Sequence, residues 1–280
     1  MRVTVVGGAG FLGGELVRQA VAAGHTVTAT CFGRPGRAAG AGWRPLDVRD
    51  RAAVTALIGE LRPDVVVNAA YRQDDWRTTA DGAAHVAVAA AASGARLVHV
   101  SSDAVFSGRA ARYAEDAVPD PVTPYGAAKA AAEVAVRALV PAAVVARTSL
   151  IVGDGGSPHE ALVHALAADR RRGVLFTDDV RCPVHVADLA AALLELAAPG
   201  RSGVHHVAGA DALSRYELGR LIARRDGLDP ARLPAGRRAD SGVPGPAELR
   251  LDCAATQRRL RTRLRGAREF AGGGLTPGPR

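Results

Sequence analysis

The chain has 280 residues, 48% hydrophobic and 23% charged, with a net charge of +8. This is an ordinary globular composition, long enough for one large or two closely joined domains. The arginines are scattered and aromatics are only 4%, which argues against nucleic acid as a partner and leaves small anions such as nucleotide phosphates.

Cys31, Cys182 and Cys253 lack metal-ligand spacing, so reduced thiols and no metal site are expected. The opening MRVTVVGGAG runs straight into a strand and turn rather than a signal peptide, and no uncharged apolar run reaches membrane-spanning length. A cytoplasmic protein with no membrane partner is expected. Of 36 basic residues only Lys129 is a lysine, and Asn68 is the one asparagine, a bias typical of a high-G+C genome. Where cations drift to arginine, a retained lysine points to a need for a compact ammonium with an adjustable pKa.

Residues 2–6 read as a buried β-branched strand. Gly7-Gly-Ala-Gly10-Phe11-Leu12-Gly13 follows, then a helix to about residue 23. Glycine at 7, 10 and 13 permits a tight turn, close approach of a diphosphate and close helix–strand packing, and the helix N-terminus offers N–H donors to phosphate. Residues 25–30 form the second strand. It ends in Cys31-Phe-Gly-Arg34, with no acid for the ribose hydroxyls of NAD. Arg34 is therefore read either as a ligand of the NADP 2′-phosphate or as one more surface arginine.

Asp47 and Val48 precede a helix over 51–61 and form a candidate adenine site, with a helix-entry turn as the other reading. Residues 63–70 are a buried strand ending in Asn68-Ala69-Ala70, at the sheet edge where open α/β folds bind ligands; the small alanines let a cofactor pass close to the backbone. A helix over 81–92 leads to a strand over 96–100 and then Ser101-Ser102-Asp103. Tyr125 and Lys129 lie four apart in an Ala-rich helix, so they share a face, and an ammonium beside a phenol favours phenolate. A hydroxyl at a strand end plus this pair is a usable catalytic constellation. The fifth strand covers 142–147. Strand and helix have alternated throughout, which gives an α/β fold with a doubly wound parallel sheet.

Beyond 150 the pattern loosens. Helices are expected over 161–172, 186–198 and 215–225, the last capped by Ser214, with strands over 174–176 and 203–208. Gly- and Pro-rich segments over 234–247 lead to Leu249-Arg-Leu-Asp252 and a last basic helix. The division expected is a dinucleotide-binding domain over 1–150, a smaller substrate-binding lobe over 151–270 that may return elements to the main sheet, and a disordered tail over 271–280.

These motifs together resemble the extended short-chain dehydrogenase/reductase superfamily, and within it the dTDP-4-dehydrorhamnose reductases. The likeness rests on Gly7-x-x-Gly10-x-x-Gly13, Asp47-Val48, Asn68-Ala-Ala, Ser101-Ser-Asp-x-Val-Phe-x-Gly108 and Tyr125-x-x-x-Lys129. It implies a Rossmann domain that binds NADP, or NAD, and reduces a keto group on a nucleotide-activated deoxysugar, as a monomer or homodimer. In that reading Tyr125 protonates the developing alkoxide, Ser102 bonds the carbonyl oxygen, and Lys129 holds the nicotinamide ribose and lowers the Tyr pKa.

Asp103, Ala104 and Arg181 would face the substrate. Ala104 stands where these reductases usually carry Tyr, so the sugar is left open. Val6 replaces a usual Thr, with the loss of one turn hydrogen bond. His85 occupies a proton-relay position, or merely packs. Glu15 matches an acid of a metal-linked dimer contact in some relatives, or is a first-turn helix acid. Other readings are a non-catalytic NAD(P)-binding regulator and a nucleotide-sugar epimerase.

Overall fold

The computed structural model describes residues 1–272. Among these residues, seven parallel strands form the central sheet: β1 (Arg2–Val6), β2 (Thr26–Cys31), β3 (Gly42–Pro45), β4 (Val65–Asn68), β5 (Arg96–Ser102), β6 (Val144–Thr148) and β7 (Gly203–His206). Their order is β7-β6-β5-β4-β1-β2-β3. The winding reverses between β1 and β4, and a crevice opens beyond their carboxyl ends.

Strand residues point alternately to the two faces. Val3, Val5 and Val65 face one layer with Leu16 and Val17 of α1 (Phe11–Ala22). Val6 and Val66 face the other with Val54 and Ile58 of α2 (Arg51–Leu61) and Val86 of α3 (Gly82–Ser93). Each buried valine contributes on the order of 1.5–3 kcal/mol. The alanines of α3 let it lie close between α2 and α4 (Pro124–Leu139). Thr123 starts α4: its hydroxyl accepts from Gly126 N at 3.1 Å, and Pro124 fills the first turn, where no N–H partner is needed.

Beyond residue 150 the chain builds two things. Helices α5 (Pro158–Ala167) and α7 (Arg215–Arg225) pack around Val163, Leu166, Leu218 and Ile222. The intervening α6 (Val186–Leu196) packs on α1, and β7 adds to β6 as the sheet's edge. No helix among the described residues is long and apolar enough to cross a membrane.

Several local expectations are corrected. Strand β3 was not legible, because Gly42 and Pro45 bound it; it is held by pairing to β2. Helix α5 begins at Pro158, not 161, because Ser157 and Glu160 form a capping box, and it ends at Ala167. The last basic helix is reduced to Ala254–Gln257 and Ala267–Phe270. Between them lie five arginines whose charges oppose helix formation. Instead the N–H groups of Arg261 and Thr262 donate to Glu195 on α6 (2.7 and 3.0 Å), and Arg265 pairs with Asp188 (2.8 Å). Ala271, placed in the expected tail, is buried; residues 273–280 lie outside the described residues.

Candidate active site

The Gly-rich turn joins β1 to α1. Gly7 takes φ +81°, a conformation that favours glycine. A Cβ there would stand 2.8 Å from Ala70 Cα, and a Cβ on Gly13 would fall on the Gly7 carbonyl. Gly10 N donates to Gly7 O at 3.0 Å. No side chain caps α1, so the N–H groups at its start, Phe11 and Leu12 among them, are left for an anion. These features fit a dinucleotide diphosphate. Val6 does not leave the turn without side-chain support, since Gly7 N donates to Thr30 Oγ1 on β2 at 3.1 Å.

A cleft of about 310 Å³ opens from this turn. Gly7, Gly10, Asp47, Val48, Ala69 and Ala70 line it, as the sequence led us to expect. Phe11 packs instead against the loop at Gly153 and Gly156, the Leu12 side chain is in the core, and Gly13 lies behind the turn. Asn68 is buried beside the cleft. Its Oδ1 accepts from Ala70 N at 3.2 Å and its Nδ2 lies 3.3 Å from His99 Nδ1, so it shapes the Ala69-Ala70 wall.

Arg34 is exposed and is not among the lining residues; Phe32, Arg49, Tyr71 and Arg72 are. Arg49 lies 5.2 Å over the Phe32 ring and forks onto Asp47 at 2.8–3.1 Å, which holds the Asp47 carboxyl below its ordinary range. These residues were missed, although Phe32 follows the end of the second strand, Arg49 adjoins Asp47 and Val48, and Tyr71 and Arg72 follow Ala70. His85 Nδ1 donates to the Val48 carbonyl (2.9 Å), a packing role that ties α3 to the segment before α2. Glu15 is bonded to Arg18 and Gln19 at 2.6–2.7 Å.

Ser102 ends β5, and Tyr125 and Lys129 lie one turn apart on α4, as expected. Gly126, between them, allows the helix to touch the loop after Ser102; a Cβ there would fall on the Ala104 carbonyl. Lys129 is buried and donates from Nζ to the Val100 carbonyl at 2.9 Å, with the Tyr71 ring 5.3 Å away. The rings of Tyr71 and Tyr125 are 6.0 Å apart.

The Tyr125 phenol is not drawn down by the lysine. Burial pushes it up, the nearby Tyr71 and Asp103 add to this, and the Ser102 side chain opposes. Burial lowers the Lys129 ammonium to about 8, with Glu133 opposing. Tyr125 is thus a neutral acid across the physiological range, the form a proton donor needs.

Asp103 is buried, and Oδ2 accepts from Ser149 Oγ at 2.7 Å. Arg181, expected to face the substrate, is engaged within the protein. It is buried, donates to the carbonyls of Val180 and Pro246 at 2.8 Å, and pairs with Asp179 (2.7 Å) and Asp103 (3.8 Å). Asp103 is the one carboxylate next to Ser102, and Ala104 supplies no second, so the pair of acids that would support dehydration is not formed there.

The family model described as RmlD substrate binding domain matches residues 1–271. The dTDP-4-dehydrorhamnose reductase of Mycobacterium tuberculosis is 33% identical, over 99% of this chain and 88% of its own length. That of Mycolicibacterium smegmatis is 34% identical, over 96% and 83%. A crystal structure of dTDP-4-dehydrorhamnose reductase from Bacillus anthracis in complex with NADP superposes with a TM-score of 0.82 at 23% identity, covering 96% of each chain; it carries the likeness of fold. With the glycine cradle, the uncapped α1 and the serine–tyrosine–lysine site all within the matched span, the chain belongs to the RmlD substrate binding domain family.

Proposed function

We propose that the protein is an NAD(P)H-dependent reductase of a keto group on a nucleotide-activated deoxysugar, with NADP as its principal cofactor. The observation that carries this reading is Tyr125, held as a neutral acid beside Ser102 and one helical turn from the buried Lys129. The bound cofactor supplies the hydride. Tyr125 gives its proton to the carbonyl oxygen as charge develops there, and Ser102 donates a second hydrogen bond to the same oxygen.

Lys129 holds the nicotinamide ribose and places a positive charge near the new phenolate. Gly7, Gly10 and the first N–H groups of α1 take the diphosphate, Ala69 and Ala70 flank the cofactor, and Asp47 and Val48 take the adenine. Arg49 and Arg72 at the cleft, with Arg34 outside it, are the cations available to a 2′-phosphate. Ala104 supplies a small wall beside Asp103, which leaves room for a bulkier or differently substituted sugar than one packed against an aromatic ring.

The test is incubation with NADPH and a panel of dTDP-4-keto-6-deoxysugars. The expected result is stoichiometric loss of NADPH with a product two mass units heavier than the ketone. An isomerised sugar with no net loss of NADPH would identify an epimerase, and cofactor binding without any turnover would identify a regulator; either overturns the proposal.

A further inference from the structure

Glu133 continues the stripe of α4 that carries Tyr125 and Lys129, at the same four-residue spacing. It is 2% exposed, and its partners Ser101 and Arg147 are 2% and 1% exposed. Glu133 Oε1 accepts from Ser101 Oγ at 2.5 Å. Arg147 on β6 donates to both carboxylate oxygens, from Nε at 3.0 and 3.2 Å and from a terminal nitrogen at 2.8 Å. The other terminal nitrogen of Arg147 reaches the carbonyls of Glu115 and Ala117 (3.3 and 3.2 Å) in the segment leading to α4, and the guanidinium lies 4.9 Å over the Phe106 ring. One buried network therefore touches β5 next to Ser102, the helix of Tyr125 and Lys129, and the loop between them.

A buried ion pair adds little net stability over apolar residues of the same size, so stability alone does not account for this one. We propose that Glu133 is a positioning residue for the reduction, tying the helix of Tyr125 and Lys129 to the strand of Ser102 and keeping a fixed negative charge one turn beyond the Lys129 ammonium. The role in turnover rests on the reductase reading above; the charge relation to Lys129 does not.

The groups facing Lys129 are few. On α4 itself they are Tyr125 and Glu133. From β5 come the Val100 carbonyl, which accepts from Nζ, and His99, which burial holds neutral. From the segment after β4 comes the Tyr71 ring. Glu133 is the carboxylate that opposes the effect of burial on Lys129.

Lys129 is the only lysine of the chain, so protein grown with ¹³Cε-lysine gives one lysine side-chain resonance. Its pH titration reads the ammonium directly, without substrate. The wild-type midpoint is expected at about 8. Glu133→Gln alone leaves Arg147 unpaired and endangers folding, so the decisive variant is the double Glu133→Gln, Arg147→Met, which removes both charges and keeps the volume. Losing Glu133 lowers the midpoint and losing Arg147 raises it by less, since Glu133 is the charge that acts on Lys129, so a net fall of up to about one pH unit is expected. Glu133→Asp should return it toward the wild-type value.

In turnover, the alkaline fall of kcat should move to lower pH by the same interval. An unchanged midpoint in the folded double variant would overturn the proposal, as would a loss of kcat equal at every pH. A shifted resonance in a protein that reduces no ketone would sink the reductase reading and leave the charge relation standing.

Discussion

Lys129 carries a penalty that the fold must offset. Burial takes its ammonium from the ordinary value of 10.5 to about 8. Between those values the unfolded chain binds the proton and the folded chain does not. The destabilisation is therefore complete below pH 8, shrinks as pH rises through 8 to 10.5, and vanishes above. At neutral pH it is on the order of 3 kcal/mol, from which about 1 kcal/mol is regained through the bond to the Val100 carbonyl. Lys129→Met is thus expected to stabilise the protein by about 2 kcal/mol at pH 7 while abolishing turnover, and to show no gain above pH 10.5. Urea denaturation at pH 7 and 10.5 checks this, and a variant less stable than wild type at pH 7 would contradict it. The same residue was conspicuous in sequence as a lone lysine, but its burial was not, because an Ala-rich helix gives no sign of which face the core will cover. The direction of the Tyr125 shift was misread for a related reason. Spacing puts phenol and ammonium on one face, yet burial, with the neighbouring Tyr71, pushes the phenol up.

Helix α4 acts as the platform of the site, and Gly126 is what lets it approach. The contact of its backbone with the Ala104 carbonyl brings Tyr125 against the strand end that carries Ser102. Gly126→Ala is expected to cost about 2 kcal/mol of stability, because the neighbour is backbone and cannot yield, and to lower kcat more than it raises the Kd for NADPH. Thermal unfolding and single-turnover kinetics read the two effects, and unchanged kcat would show that the approach is not needed. Sequence disclosed α4 through Tyr125, Lys129 and the alanines, and disclosed the strands through runs such as Val65–Asn68. It did not disclose β3, whose Gly42 and Pro45 are poor strand formers and whose existence depends on β2 alongside. Nor did it disclose the clamp of residues 261–265 on α6, because Asp188 and Glu195 are about seventy residues away in sequence. The buried pairing of Arg181 was hidden for the same reason: nothing local reveals that Asp103 and Asp179 converge on it.

At the scale of the whole molecule, a net charge of +8 faces an anionic cofactor. Binding of NADPH should weaken as salt screens this field, and NADPH should lose more affinity than NADH because it carries the additional 2′-phosphate. Between 50 and 500 mM salt the Kd for NADPH is expected to rise by roughly tenfold and that for NADH by several-fold less, as read by fluorescence titration. Equal salt dependence would mean that no cation meets the 2′-phosphate. Arg49→Ala should narrow the difference more than Arg34→Ala, since Arg49 lines the cleft. The doubly wound sheet was legible from the alternation of strand and helix. The return of α6 and β7 to it was left open, because a crossover of this length has no local signature.

The most direct measurement compares wild type and Tyr125→Phe in NADPH oxidation by a dTDP-4-keto-6-deoxysugar, with the Kd for NADPH taken on the same preparations. If Tyr125 is the proton donor, kcat falls by about 10²–10⁴-fold while Kd stays within a few-fold. A Tyr125→Phe variant that turns over at the wild-type rate would contradict it.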